Sequence, residues 1–269
     1  MKIRKSSILF GVILILIAFF WSVVSSAQDT RELYYLVEKY YNEGEYEKVI
    51  PITNQIIQQE PSLVSGYLLR GETYYNLGRD SKTIEDITKA LDIESRIGQR
   101  KEFSRFYIMR GIAYRNLKNF DKAIEDYQKA INVDPKSYSA YYNLGNAYQD
   151  IGNVTRDKKQ YLLAIDSYSK AIELKPDFVQ ALNNRGSCYI KSGQYEKGIS
   201  ELEKQPLVYS YGIGIAFAYE KLGNKEKAIE TYKKIFALMK KEGGYRQELL
   251  DIIEGKIVDY DNAYTINFH

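Results

Sequence analysis

A skeleton of small residues, tyrosine and proline returns along most of this chain, and its period restricts the chain to few architectures. Residues 104–137 show it most completely, with Tyr107, Gly111, Tyr114, Ala123, Tyr127, Ala130 and Pro135. The next copy carries Tyr141, Gly145 and Tyr148 and then, after an insertion, Ala164, Tyr168, Ala171 and Pro176. Self-similarity at this spacing means stacked units that share a continuous core, not a single globule.

Within one copy the apolar and small positions step by three or four: Tyr107, Gly111 and Tyr114, then Ile124, Tyr127 and Ile131. Each half is therefore an amphipathic helix. Asn116 to Asn119 interrupts the pattern, and Asp134-Pro135 ends the second half, so the unit is a helical hairpin. A glycine inside a helix costs about 1 kcal/mol relative to alanine, yet Gly71, Gly111, Gly145 and Gly186 recur at one position. Close approach of two helices is the compensating gain this predicts, with Ala123, Ala130 and Ala171 as the small surfaces opposite.

This pattern resembles the tetratricopeptide repeat, a helix–turn–helix unit, over residues 30–242. The segments YYNLGNAY (141–148) and SYSKAIELKP (167–176) carry the likeness most specifically. Six units start near Thr30, Val64, Ser104, Tyr138, Val179 and Tyr209, ending at 63, 97, 137, 178, 208 and 242. The first has Val37 where glycine is usual and the second Thr83 where alanine is usual, and Pro51 predicts a late start or a bend in the first unit's second helix. GQRKEF (98–103) lengthens the spacing before the third unit. VTRDKKQ (154–160) enters between the helices of the fourth, and Pro206 shortens the fifth.

After the array, residues 245–260 read as a capping helix, with Leu249, Leu250, Ile252, Ile253, Ile257 and Val258 covering the stack. Glu248, Asp251, Glu254 and Lys256 face water in that reading, and 261–269 is a tail. The expected fold is all-α, a right-handed α-solenoid of about six helix–turn–helix repeats with that cap, preceded by a hydrophobic leader helix.

Residues 1–27 have the parts of an export signal: Lys2, Arg4 and Lys5, an apolar run from Ile8, and small residues at Ser25-Ser26-Ala27. Cleavage after Ala27 gives a periplasmic or extracellular protein. An uncleaved leader, whose apolar stretch over residues 8–24 spans about 25 Å at about 1.5 Å per residue, anchors the repeats outside the cytoplasmic membrane. The leader also holds the whole net charge of +3, since the remaining 35 Lys and Arg balance 35 Asp and Glu. A nucleic-acid partner, which needs a basic stripe, is not expected.

No catalytic set is legible. The single histidine is His269 and the single cysteine Cys188, and no metal-ligand, phosphate-loop or dinucleotide motif occurs. No cofactor, metal or catalytic residue is therefore assigned. Cys188 stands in the slot of Ala113, Ala147 and Ala218, which predicts a buried small residue, not a reactive thiol.

The resemblance implies a protein or peptide ligand lying in a concave groove lined by the first helix of each repeat. Groove positions carried over onto this chain are Tyr75, Arg115, Tyr142, Asn143, Asn146, Gln149, Asn183, Asn184 and Ser187. The same lining includes Tyr34, Glu38, Tyr41 and Glu72. Asn143 and Asn184 share a register, and two amides there suit an extended main chain, since each offers a donor and an acceptor. The other reading of these asparagines is helix packing, and that of the tyrosines is contact between adjacent repeats. The expected function is a scaffold for protein–protein interaction or complex assembly at the cell envelope. The alternatives are a carbohydrate-active envelope enzyme using surface carboxylates and a self-associating structural element.

Overall fold

Helices begin and end where the sequence supplies stops. The computed structural model describes residues 30–95, 103–206, 209–242, 247 and 251–257. The leader, residues 98–102, the tail and much of the expected cap lie outside that set. The helices are α1 (30–42), α2 (Tyr46–Gln59), α3 (Val64–Asn76), α4 (Asp80–Glu94), α5 (Ser104–Asn116), α6 (Phe120–Val133) and α7 (Tyr138–Thr155). They continue as α8 (Lys158–Leu174), α9 (Val179–Ser192), α10 (Tyr195–Leu202), α11 (Tyr209–Lys221) and α12 (Lys225–Glu242), with a last helical stretch, α13, at 251–257. Among the described residues every regular element is helical, and no helix is long and apolar enough to cross a membrane.

The chain divides into two compact bodies, Met1–Leu117 and Lys118–His269. In the first, α2 packs on α3, α3 on α4 and α4 on α5, while α3 also touches α5. In the second, each helix from α6 to α12 packs on the next, and α9 touches both α7 and α11. Contacts in series, with first helices of successive hairpins meeting, are the stacking of an α-solenoid. The core is correspondingly strung out: Val37, Val49 and Ile56 between α1 and α2, then Tyr161, Tyr168 and Cys188 across α8 and α9, then Ile199, Leu202, Ile215 and Tyr219 further on.

The repeated glycines make room, but not for alanines. A Cβ on Gly71 would lie 2.7 Å from Ile87 Cδ1, one on Gly145 2.6 Å from Tyr168 Cε1, and one on Gly186 2.6 Å from Leu202 Cγ. Ala123, Ala130 and Ala171 are fully buried, yet the atoms seated over the glycines belong to large side chains. A missing Cβ leaves a notch the size of a branch or ring edge, and filling it gains more dispersion and apolar burial than opposing one small surface to another.

The insertion in the fourth repeat becomes helix. α7 runs on to Thr155 and α8 starts at Lys158, leaving a turn in which Arg156 takes a left-handed conformation (φ 60°) and Asp157 Oδ1 accepts from the Lys159 amide at 2.9 Å. The added turn is held by Tyr161, whose ring lies where a Gly152 Cβ would fall 2.8 Å from Cε1. α2 starts at Tyr46, with no delay before Pro51. The proline is exposed, as is Glu47, whose carbonyl it leaves without an amide partner, so water can take that place. α10 ends at Leu202, four residues before Pro206, as expected.

Only part of the cap is described. Ile253 is buried against Ala216, Tyr232, Ile235 and Met239, and Lys256 reaches Glu220 at 3.1 Å. Ile252 does not cover the stack as expected: it is 61% exposed, because its neighbour Ile253 takes the inward face and adjacent helical positions point about 100° apart.

Cys188 is fully buried, as are Ala113, Ala147 and Ala218 in the same slot. Burial pushes its thiol up to about 12 from an ordinary 9.0. The native thiol should therefore resist alkylation at about pH 8 and react only on unfolding, readable by mass spectrometry. Because the folded value is the higher one, this group's stabilisation is complete below pH 9 and drains away as pH rises towards 12. A Cys188→Ala variant should show a shallower alkaline loss of stability than the parent.

Candidate functional site

In the C-terminal body, residues of α7 and α9 meet around a buried tyrosine of α8. Tyr168 is fully buried, and desolvation drives its hydroxyl far above the ordinary value, keeping it a proton donor. Its hydroxyl lies 2.8 Å from Asn146 Oδ1 and 2.6 Å from Gln149 Oε1. Asn184 Nδ2 donates to Asn146 Oδ1 at 3.0 Å and, at longer range, to the Tyr142 hydroxyl at 3.3 Å. The Tyr142 ring stacks at a tilt on Tyr168 and Phe178, with centroids 5.8 and 4.8 Å away. Four of the expected groove residues, Tyr142, Asn146, Gln149 and Asn184, are thus locked to one another.

The bonds use only half of each amide. The Nδ2 of Asn146, the Nε2 of Gln149 and the Oδ1 of Asn184 have no protein partner among the described residues. They are two donors and one acceptor on side chains that cannot easily turn away. Ser187, half-buried on α9, also lacks a hydrogen-bond partner among the described residues, and Asn183 Oδ1 is buried without one.

Asn143 behaves differently from its register mate. It is 9% exposed, and its Nδ2 donates to the Ser139 carbonyl of its own helix at 2.8 Å. The two amides that share a sequence position do not form a matched pair, because Asn143 turns into α7 while Asn184 reaches across to it. Tyr75 and Arg115 lie half-buried on α3 and α5 of the N-terminal body.

That body has its own concavity. A cavity of about 480 Å³ opens between α1 and α3, lined by Tyr34, Tyr41, Glu38, Leu69 and Glu72 among others. Tyr34 shares a 2.5 Å hydrogen bond with Ser65 Oγ, and Asn76 Nδ2 donates to the Tyr41 hydroxyl at 2.7 Å. Both tyrosines thereby tie the first hairpin to the second. The packing role and the lining role, alternatives in the sequence, coexist in the same side chains.

Sequence reasoning missed an arginine clamp. Arg70 forks onto Asp86, Nε to Oδ2 at 2.7 Å and Nη2 to Oδ1 at 2.6 Å, while its Nη1 donates to Asn54 Oδ1 at 2.6 Å. Arg185 does the same with Glu201 and, through Nη1, with Ser169 Oγ at 3.0 Å. Each arginine joins the second helix of its own repeat to that of the repeat before. Several other carboxylates pair with lysines one turn away on exposed faces, as Glu125 with Lys129 and Glu230 with Lys234, each at 2.6 Å. Among the described residues no group of His, Cys, Asp and Glu is placed to hold a metal ion.

Two family profiles match the chain, one described as TPR repeat over residues 111–152 and 152–193, the other as tetratricopeptide repeat over 213–238. The matched stretches are tetratricopeptide repeats. Such arrays are scaffolds for contact with other proteins. No curated protein sequence matches the chain. Among solved structures, a repeat protein from Cytophaga hutchinsonii aligns at 21% identity over 86% of this chain and 88% of its own, with a TM-score of 0.68. PilW, described as a type IV pilus biogenesis factor, aligns at 19% over 83% and 98%, TM-score 0.63. YrrB, described as having an unusual peptide-binding site, aligns at 18% over 69% and 91%, TM-score 0.56. At these identities the likeness is one of fold.

Proposed function

We propose that this tetratricopeptide repeat protein is an exported scaffold that holds an extended segment of a partner protein and so assembles or recruits components at the cell envelope. The observation that carries the reading is the set of unpaired amide groups on Asn146, Gln149 and Asn184. Peptide main chain offers alternating N–H and C=O groups whatever its sequence, and fixed amides answer both. Because the network is locked before any ligand arrives, little side-chain ordering cost remains to be met on binding. The basic, apolar and small-residue order of residues 1–27 supports export, with the leader either removed or retained as an anchor. The peptide site described for YrrB, in the same fold, is consistent with the reading.

The test leaves the network intact. Asn183→Ala/Ser187→Ala removes two polar groups of α9 that make no hydrogen bond among the described residues, so the melting temperature should stay within a degree or two of the parent's. Cross-linked complexes isolated from separated envelope and soluble fractions should contain a partner with the parent and about ten-fold less of it with the variant, the loss expected for about 1.4 kcal/mol. Equal recovery of the same partner by both proteins, and by a Gln149→Glu variant that keeps the acceptor for Tyr168 and lacks the free Nε2 donor, removes the amide face from the function. Mass spectrometry of the mature N-terminus in the same fractions tests the export reading: Gln28 indicates cleavage, and an intact Met1 in the membrane fraction indicates anchoring.

A further inference from the structure

We infer that the cavity between α1 and α3 receives a basic side chain, lysine or arginine, from the segment that the scaffold binds. The inference rests on the peptide-binding reading and names what the N-terminal body selects. The cavity, about 480 Å³, lies in the range of pockets that enclose ligand groups, about 300–1,000 Å³. Its lining combines tyrosines with two carboxylates. Leu69 supplies an apolar wall suited to an alkyl stem. Tyr34 and Tyr41 are anchored through their hydroxyls to Ser65 and Asn76, so their rings are fixed and do not need to be ordered by a ligand. Rings of this kind attract a cation through the negative charge over their faces, most strongly when the cation is shed of water.

The charge pattern selects the sign. Glu38 has no ion-pair or hydrogen-bond partner among the described residues, and Glu72, which hydrogen-bonds the Tyr41 hydroxyl, has as its cation Arg105, 63% exposed and 3.6 Å away, beyond hydrogen-bond reach. Arg31 is the one cationic side chain in the lining, against two carboxylates. Burial, and after it the charge of Glu72, hold the Tyr41 hydroxyl above its ordinary value, as a negative local field would. An acidic ligand group would meet repulsion here. A neutral apolar one would strip water from Glu38 and return no charge to it. A lysine or arginine satisfies the carboxylates, the rings and the apolar wall together.

Random peptides displayed on phage and panned against the full chain in detergent micelles test this. Selected peptides should be enriched in lysine or arginine. A synthetic copy of the tightest should bind about ten-fold more weakly when that residue is replaced by norleucine, or when the protein carries Glu38→Gln/Glu72→Gln, as loss of a desolvated cation–aromatic and ion-pair contact implies. Circular dichroism melting checks that the double variant is folded. Equal affinity of the norleucine peptide overturns the inference, as does selection of peptides without basic residues, or of none. Binding that requires prior removal of residues 1–27 overturns it too, since the cavity's occupant is then the chain's own segment. Peptides that bind the Asn183→Ala/Ser187→Ala protein normally while still requiring their lysine would uphold the cavity and remove the amide face. Loss in that variant with indifference to Glu38 and Glu72 would do the reverse.

Discussion

Arg70→Met should destabilise the N-terminal body by about 3–5 kcal/mol, the cost of leaving a buried ion without its partner. The Asp86 side chain is 3% exposed and receives two of the guanidinium's hydrogen bonds. Removing the arginine leaves that carboxylate in low dielectric with no charge to answer it. Asn54 also loses its contact across the hairpin boundary. The same substitution paired with Asp86→Leu should recover most of the loss, because two apolar side chains of similar size avoid the desolvation that the ion pair had to offset. Urea denaturation of the two single variants and the double variant measures the coupling directly. If Arg70→Met shifts the midpoint no more than an exposed Lys129→Met does, the clamp contributes nothing to stability. Glu201, at 14% exposure, is less deeply placed than Asp86, so the corresponding loss at Arg185 should be smaller.

Gly145→Leu should cost about 1–3 kcal/mol through overpacking, and even Gly145→Ala should be unfavourable. Alanine would gain about 1 kcal/mol of helix propensity over glycine. Its Cβ, however, would sit 2.6 Å from the body of the Tyr168 ring. That ring cannot swing aside, because its hydroxyl is held by Asn146 and Gln149 within the locked network. Displacing it would also disturb the amide face. Gly214 is the control: among the described residues a Cβ there would meet only Ile190 Cδ1, at an ordinary 3.5 Å. Gly214→Ala should therefore stabilise, by up to about 1 kcal/mol. Opposite signs for one substitution at two helical glycines, read from thermal unfolding, are the expected outcome, and matching signs would show that the glycine notch is not set by Tyr168.

How much of this was legible beforehand differs by kind of feature. The helix break at Asn116–Asn119 and the end of α6 before Pro135 were readable, because proline and polar breaks act on the local backbone. The burial of Cys188 followed from its alignment with three alanines, since every copy of a repeat meets the same surroundings. The clamp was in reach and overlooked. Arg70-Gly71, Arg110-Gly111 and Arg185-Gly186 are each followed sixteen residues on by an acid, Asp86, Asp126 and Glu201. A recurring pair at that offset joins the two helices of one hairpin at Arg70 and again at Arg185.

Periodicity by itself determined that this chain folds as stacked helical hairpins, because small, aromatic and breaking residues at fixed offsets bias each short segment the same way in every copy. Tertiary structure alone decided which atoms fill the glycine notches, that Asn143 turns inward while Asn184 reaches across, and that tyrosines and two glutamates enclose a cavity. Those outcomes depend on distances between side chains far apart in sequence. A helical register sets the face on which a residue lies, whereas the partner it finds there is set by packing against the neighbouring hairpin.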